Sequence, residues 1–213
     1  MIGLAAETAL TMLQHADSTF PSGGFAFSAG IEGLVADGKV GQDDLAALVS
    51  GWLRWRWAPF EQVFVCRAAS FLGDVDALAC VDAELEAMLW APAERHGSAC
   101  AGAALLASHL RMGTPGATEL DVAVKGKLLI GHRVVLEGAL WANTGLGRTE
   151  IRLVSAYTYV STLSSAAVRL GICSAIAQQR LLADLVPTMA RLASEPLGTT
   201  RNRGLLARSP RSR

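Results

Sequence analysis

Histidine and cysteine are the side chains of this sequence most suited to chemistry, because they bind metals and act as nucleophiles. The chain holds four of each. His96 and Cys100 are four residues apart, so on a helix both could face one metal ion. Two ligands seldom make a site, and no Cys/His cluster has the spacing of a structural zinc site. We therefore treat His96 and Cys100 as a weak candidate metal pair. A metal-using helical enzyme built on them and on acids such as Glu94 stays an alternative.

Other catalytic and cofactor motifs are weak in this sequence. The run Gly145–Thr149 faintly resembles a phosphate-binding loop, but it lacks the lysine, the full spacing and a preceding strand. We interpret it as a turn between two helices. Ser–His–Asp or paired-carboxylate groups meet in space rather than in sequence order, so sequence alone leaves them open. Without a nucleophile motif, a cofactor loop or a ligand cluster, we expect a protein that is not an enzyme and holds no stable cofactor.

Charge and hydropathy limit the class of protein and of partner. From Leu197 onward the chain carries five arginines and no acid, whereas residues 1–196 hold 14 basic against 19 acidic groups. The basic tail lacks interleaved aromatic residues and no basic face matches it, which disfavours nucleic-acid binding.

Apolar segments end before the roughly 18 residues of a membrane span, and the start does not resemble a signal peptide. The four cysteines include no CxxC pair. We predict a cytoplasmic protein with reduced cysteines and no membrane partner.

Helical patterns separated by glycine and proline cover most of the chain. Alanine and leucine dominate the 51% hydrophobic content, and no alternating strand pattern of useful length occurs. We predict an all-α, single-domain helical bundle over residues 1–196 and a flexible basic tail over 197–213. Glycines 102, 126, 131, 138 and 171 lie within helical stretches and predict close helix contacts. Pro59 either kinks the preceding helix or lies in the first turn of the next one. The predicted helices are Leu4–Ala16, Ser28–Asp37, Gln42–Trp55, a helix that holds Val63 to Phe71, Val75–Trp90, Pro92–Met112, Glu119–Asn143, Glu150–Ala183 and a short helix from Pro187.

The stretch Asp17–Glu32 is unusual for a helical protein. Pro21 restricts the backbone, and Gly23 and Gly24 permit the positive φ angles of a tight turn. Phenylalanines stand at positions 20, 25 and 27 of the same stretch. One interpretation is that these rings plug the end of the bundle. The other is that an ordered aromatic turn presents a docking surface.

The stretch resembles the N-terminal signature of the UreF-type urease accessory proteins, Asp-Ser-x-x-Pro-x-Gly-Gly-Phe-x-x-Ser-x-Gly-Leu-Glu. Here it reads Asp17-Ser18-Thr19-Phe20-Pro21-Ser22-Gly23-Gly24-Phe25-Ala26-Phe27-Ser28-Ala29-Gly30-Ile31-Glu32. Four later segments follow in the family's order: Arg95–Ser98, Gly131–Gly138, Ser165–Leu170 and Gln178–Leu182. The C-terminal tail matches the family pattern poorly, so its contacts are not carried over.

The resemblance implies a helical, usually dimeric, non-catalytic protein. It would join a UreD/UreH-type accessory protein and a UreG-type GTPase on apo-urease and influence the GTPase. Nickel would be in transit only, not a stable ligand. An unrelated helical adaptor or regulator with an aromatic docking turn is the alternative. The residues that we predict to contact partners are Phe20, Pro21, Gly23, Gly24, Phe25, Ser28, Glu32, His132 and Arg180.

Overall fold

Helices form the regular structure of this protein in a computed structural model that describes residues 5–24 and 30–197. No strand occurs within those two ranges, which confirms the all-α prediction. A π-helical segment (Leu53–Glu61) joins the third and fourth α-helices into one continuous rod. The α-helices are α1 (Ala6–Ala16), α2 (Ile31–Ala36), α3 (Leu45–Trp52), α4 (Gln62–Ala69), α5 (Val75–Met88), α6 (Pro92–Met112), α7 (Ala117–Lys125), α8 (Arg133–Asn143), α9 (Arg148–Arg169) and α10 (Ala175–Ser194).

Local capping residues set several of these helix ends. Pro92 occupies the first turn of α6, where its missing N–H costs nothing, and Gly113 ends that helix with a φ of 70°. The Asp74 side chain accepts a hydrogen bond from the Ala77 N–H at 2.9 Å at the start of α5. Ser174 accepts one from the Ala177 N–H at 3.1 Å at the start of α10. Both bonds satisfy donors that a helix start leaves unpaired.

The apolar core consists of two clusters that share α9. The first lies between α4, α5, α6 and α8, and the second between α3, the π-helical segment, α9 and α10. The N-terminal half of α9 contributes Ile151 and Val154 to the first cluster, and its C-terminal half contributes Val160 and Leu163 to the second. The polar edge of Trp57 is satisfied because its indole N–H donates to Ser155 Oγ at 3.0 Å.

Two glycines let helices approach more closely than any side chain would permit. A Cβ on Gly102 of α6 would lie 1.9 Å from the carbonyl oxygen of Gly131, and one on Gly138 of α8 would lie 2.3 Å from the Val65 carbonyl oxygen. The predicted close approach is confirmed at these two positions. Gly131 and Gly171 instead lie in turns with positive φ, and Gly126 follows the last residue of α7.

Three predicted helix boundaries are wrong. The stretch 119–143 is divided between α7 and α8 by a turn that passes through Lys127, whose φ is 61°. The stretch 150–183 is divided between α9 and α10 at Gly171, whose φ is 71°. Pro187 does not begin a helix but lies inside α10 on an exposed face, where the carbonyl group that it leaves unpaired can bond to water.

Candidate functional site

The turn after α1 is shaped by its own side chains. Asp17 accepts hydrogen bonds from the Thr19 backbone N–H at 2.6 Å and from Thr19 Oγ1 at 2.7 Å. These bonds to the ionised form lower the pKa of Asp17, the backbone N–H having the larger effect. This arrangement is an Asx turn, in which an aspartate side chain accepts a hydrogen bond from the backbone N–H two residues later.

The turn is fastened to α6 at two points. Ser108 Oγ donates a hydrogen bond to the Pro21 carbonyl oxygen at 2.7 Å. Gly23 has a φ of +73°, and a Cβ at this position would lie only 2.6 Å from Ala104 Cβ. Glycine is therefore required both by the backbone conformation and by the distance to α6. Asp17, Thr19 and Pro21 remain exposed on the outer side.

Phe20 is half-buried and points towards a pair of buried histidines. Its ring centroid lies 5.1 Å from that of His15 and 5.5 Å from that of His109, and the two imidazoles lie 5.2 Å apart. His109 Nδ1 forms a hydrogen bond with Thr114 Oγ1 at 2.9 Å. Burial lowers the pKa of His15 and of His109 to about 4 each, so both are neutral at neutral pH. For Phe20 this contact with the interior agrees with the first interpretation of the aromatic turn, whereas Phe25 and Phe27 lie outside the described residues.

A cavity of about 1180 Å³ lies between this turn, α6, the π-helical segment, α8 and α9. It brings together several residues that the sequence analysis predicted to contact partners. These lining residues are Phe20, Pro21, Gly23, Gly24 and Glu32. The turn and the start of α2 therefore border one concave surface, although they are separate in sequence.

The lining of the cavity also includes a cluster of two arginines and three glutamates. Arg133 pairs with Glu137 and lies 3.2 Å from Glu61, while Arg56 pairs with Glu94 and lies 3.7 Å from Glu61. Burial raises the pKa of Glu137, and Arg133 opposes that shift. Burial acts to lower the pKa of Arg133, but its two glutamate neighbours outweigh burial and raise it.

Tyr159 of α9 lines the cavity close to this charge cluster. Burial is the main cause that raises its pKa, and the carboxylate of Glu61 acts in the same direction. The phenol is therefore neutral at physiological pH. It gives the cavity a polar group that can both donate and accept a hydrogen bond.

The π-helical segment orients part of that cluster. In this wider helix, residues five apart lie one above the other, so Arg56 and Glu61 share the face that lines the cavity. The Arg56 guanidinium also lies 4.2 Å above the ring centroid of Phe60. Pro59 lies inside the segment, which continues into α4 without a break. The sequence analysis left open whether Pro59 kinks a helix or begins the next one, and the π-helical segment is the outcome.

His132 belongs to a different, interior network. Asp82 of α5 accepts backbone hydrogen bonds from Ile130, Gly131 and His132 at 2.6, 2.8 and 3.1 Å. His132 Nε2 lies 2.9 Å from Glu86 of α5. Because its side chain is fully buried, a partner that meets this fold cannot touch it.

Arg95 joins the same network from α6. Its Nε lies 3.3 Å from Glu86, and its Nη1 donates to the Trp90 carbonyl oxygen at 3.1 Å. The motif segments Arg95–Ser98 and Gly131–Gly138 are therefore brought together through α5. Glu86 contacts one residue of each segment, Arg95 and His132.

The remaining predicted residues are spread out. Arg180 is exposed on α10 and is not among the residues that line the large cavity. Phe25 and Ser28, and the tail beyond Leu197, lie outside the described residues. His96 and Cys100 are exposed on α6, with Nε2 and Sγ 3.5 Å apart. Their candidate role as a metal pair stays a prediction.

Sequence reasoning missed the buried imidazole pair and the charge cluster. His15 and His109 are 94 positions apart in sequence, and Glu61 and Glu137 are 76 apart, so no local motif links them. A partial signal existed in Arg133 and Glu137, whose spacing of four residues is typical of a helical ion pair.

Two further observations limit the chemistry of the described ranges. In residues 5–24 and 30–197, no group of three or more His, Cys, Asp and Glu side chains is placed to hold a metal ion. None of the helices in that part of the chain is both long and apolar enough to cross a membrane.

Comparison with known proteins identifies the family. The family model described as UreF matches residues 40–186, a range that begins after the turn. A protein of Trichodesmium erythraeum (strain IMS101) named "Urease accessory protein UreF" is 30% identical over 192 residues, which cover 88% of this chain and 82% of that protein. The family-model match therefore rests on the helical body, independently of the turn signature. The chain belongs to the UreF family.

Proposed function

We propose that this protein is a urease accessory protein that acts as a non-catalytic scaffold in nickel insertion. It would join UreD/UreH-type and UreG-type partners on apo-urease. Family membership and the printed name of the relative support the urease role. The single structural observation that supports the scaffold role is the turn fastened to α6, which presents exposed Asp17, Thr19 and Pro21 beside the cavity.

The rigidity of the turn favours docking. A flexible loop loses conformational entropy when a partner orders it, at about 0.5–1.5 kcal/mol for each immobilised side chain. Here the Asp17–Thr19 bonds, the Ser108–Pro21 bond and the contact of Gly23 with α6 already hold the turn. A partner would therefore meet a surface that is ordered before binding.

We expect this chain to influence its GTPase partner by direct contact with it, rather than by binding the nucleotide. The run Gly145–Thr149 lies in the turn between α8 and α9 and in the first residues of α9, as the sequence analysis expected of a helix-to-helix connection. It has no lysine and follows no strand. This chain is thus proposed to favour one conformation of its partner without binding the nucleotide itself.

Urease activation in nickel-limited cells tests the function. Cells that express urease and the other accessory proteins should show low urease activity without this chain and restored activity with it. A pull-down with the UreD/UreH-type, UreG-type and urease proteins from the same source should recover them together. Full activation without this chain would contradict the proposal.

A matched pair of glycine variants tests the turn. Gly23→Ala adds a methyl group at positive φ and 2.6 Å from Ala104 Cβ, and should reduce both pull-down and activation. Gly73→Ala has the same backbone cost at a φ of +77°, but nothing lies within 4 Å of its added Cβ. Equal partner binding by two folded variants would show that the turn is not the docking surface.

A further inference from the structure

His96 and Cys100 on α6 are spaced as two ligands of one tetrahedral metal ion. Their Nε2 and Sγ atoms lie 3.5 Å apart. Zinc–sulfur and zinc–nitrogen bonds of about 2.3 and 2.0–2.1 Å, at a tetrahedral angle, require a separation of about 3.6 Å between the two ligand atoms. The pair therefore needs little rearrangement to bind a metal. An ordinary S–H···N hydrogen bond is the competing explanation of the same distance.

The pair is half of a complete site. Structural zinc sites have four protein ligands. In the described part of the chain, no third His, Cys, Asp or Glu side chain joins these two. Both residues are exposed, and neither is among the residues that line the large cavity, whereas Ala93, nearly one turn earlier on α6, borders it. A four-ligand site at this pair would therefore need ligands from outside the described part of the chain.

The surroundings of the pair suit a second α6 helix. Ala93 and Ala103 are exposed and, with His96 and Cys100, follow the i, i+3, i+7, i+10 spacing of one helix face. Methyl side chains flank the ligands on both sides along the helix. Two such faces related by a two-fold axis could approach closely and bring together two histidines and two cysteines.

We propose that His96 and Cys100 form half of a transition-metal site, which the same pair from a second copy of this chain completes. The ligand is a borderline divalent ion such as Zn²⁺, bound in a Cys₂His₂ set between two α6 helices. Each Cys100 thiol releases one proton as its thiolate binds the metal, and no redox change occurs. The site does not depend on the proposed urease role, since it is tested on the purified chain alone.

Zinc titration of the untagged full-length chain tests the proposal. We expect half an equivalent of Zn²⁺ per chain and a shift from monomer to dimer in sedimentation when zinc is added. Where the chain is already dimeric, zinc should raise the stability of the dimer. Co²⁺ in place of Zn²⁺ should give the intense visible bands of a tetrahedral ion and the near-ultraviolet band of thiolate ligation.

Single variants and one matched control assign the ligands. Cys100→Ser and His96→Gln should each weaken zinc binding at least tenfold and abolish the zinc-dependent dimer. Cys80→Ser removes an exposed cysteine of α5 and should leave both unchanged. Absence of zinc binding would favour the hydrogen bond and overturn the proposal. One zinc per monomer, or binding that survives Cys100→Ser, would overturn it as well.

Discussion

Ser108 and Pro21 are 87 positions apart in sequence, yet the Ser108 hydroxyl donates a 2.7 Å hydrogen bond to the Pro21 carbonyl oxygen. The bond connects the middle helix α6 to the turn that carries the family signature. Ser108 Oγ also lies 3.0 Å from the carbonyl oxygen of Ala104, its own helical neighbour. The conformation of the turn is thus coupled to α6.

Removal of this hydroxyl should loosen the turn. Ser108→Ala leaves the buried side of the Pro21 carbonyl without its donor, so we expect the free energy of unfolding to fall by about 1 kcal/mol in urea denaturation. Hydrogen exchange of the Thr19 and Gly24 amides should become faster. Ser194→Ala is the control, because Ser194 is exposed and its hydroxyl donates to the carbonyl oxygen of Ala190 in its own helix at 2.8 Å. Equal effects of the two variants would contradict a special role for the bond to Pro21.

A methyl group at Gly102 should be among the most destabilising small changes in this protein. It would lie 1.9 Å from the Gly131 carbonyl oxygen, a backbone atom that cannot move without shifting the start of α8. We expect Gly102→Ala to cost about 3 kcal/mol or more in urea denaturation. Gly51→Ala in α3 has nothing within 4 Å of the added Cβ and should stabilise the chain by ~0.5–1 kcal/mol. A small loss of stability in Gly102→Ala would mean that α6 lies farther from the turn at Gly131 than this distance indicates.

The carboxylate of Asp82 should stabilise the fold more than a neutral amide would. It accepts three backbone N–H groups at 2.6, 2.8 and 3.1 Å, whereas an amide would present its own N–H₂ to some of these donors. We expect Asp82→Asn to lower the free energy of unfolding by about 2 kcal/mol in urea denaturation. Asp76→Asn, an exposed change in the first turn of the same helix, should cost less than about 1 kcal/mol. Similar losses in the two variants would refute the role of Asp82.

Acid should destabilise the protein through its buried imidazole pair. The pKa of His15 and of His109 falls from the ordinary value of 6.5 to about 4 in the folded state. Between these values the unfolded chain binds more protons than the folded one, so stability is lost as the pH falls from 6.5 towards 4. From pH 7 to pH 5 we expect a loss of about 2 kcal/mol per histidine, measured by urea denaturation.

The slope of stability against pH identifies the groups responsible. His15→Leu removes one titrating group and should roughly halve the loss between pH 7 and pH 5. His96→Gln changes an exposed histidine and should leave the slope as it is. An unchanged slope in His15→Leu would show that other groups account for the acid sensitivity.

Local residue preferences determined much of this fold. Pro92 and Gly113 mark the ends of α6 where the sequence analysis placed them, because proline and glycine act through their own backbone geometry. Pro21 and Gly23 likewise predicted a turn after α1, and the close helix approach at Gly102 and Gly138 followed from the absence of side chains. These features need no information about distant residues.

Tertiary structure decided the rest, since the deciding partners are far apart in sequence. The apolar run Leu128–Ile130 was predicted as helix, yet it leads into the non-helical stretch before α8. There Asp82 accepts the N–H groups of residues 130, 131 and 132, from 48 to 50 positions earlier in sequence. His132 was predicted to contact partners from its motif position, but burial against Glu86 gives it an interior role. The sequence by itself determined an all-helical UreF-family chain with a turn after α1. Which side chains reach the cavity was decided only by the packing of α6, α8, α9 and the π-helical segment. A motif gives the order of residues along the chain, whereas a site depends on which residues meet in three dimensions.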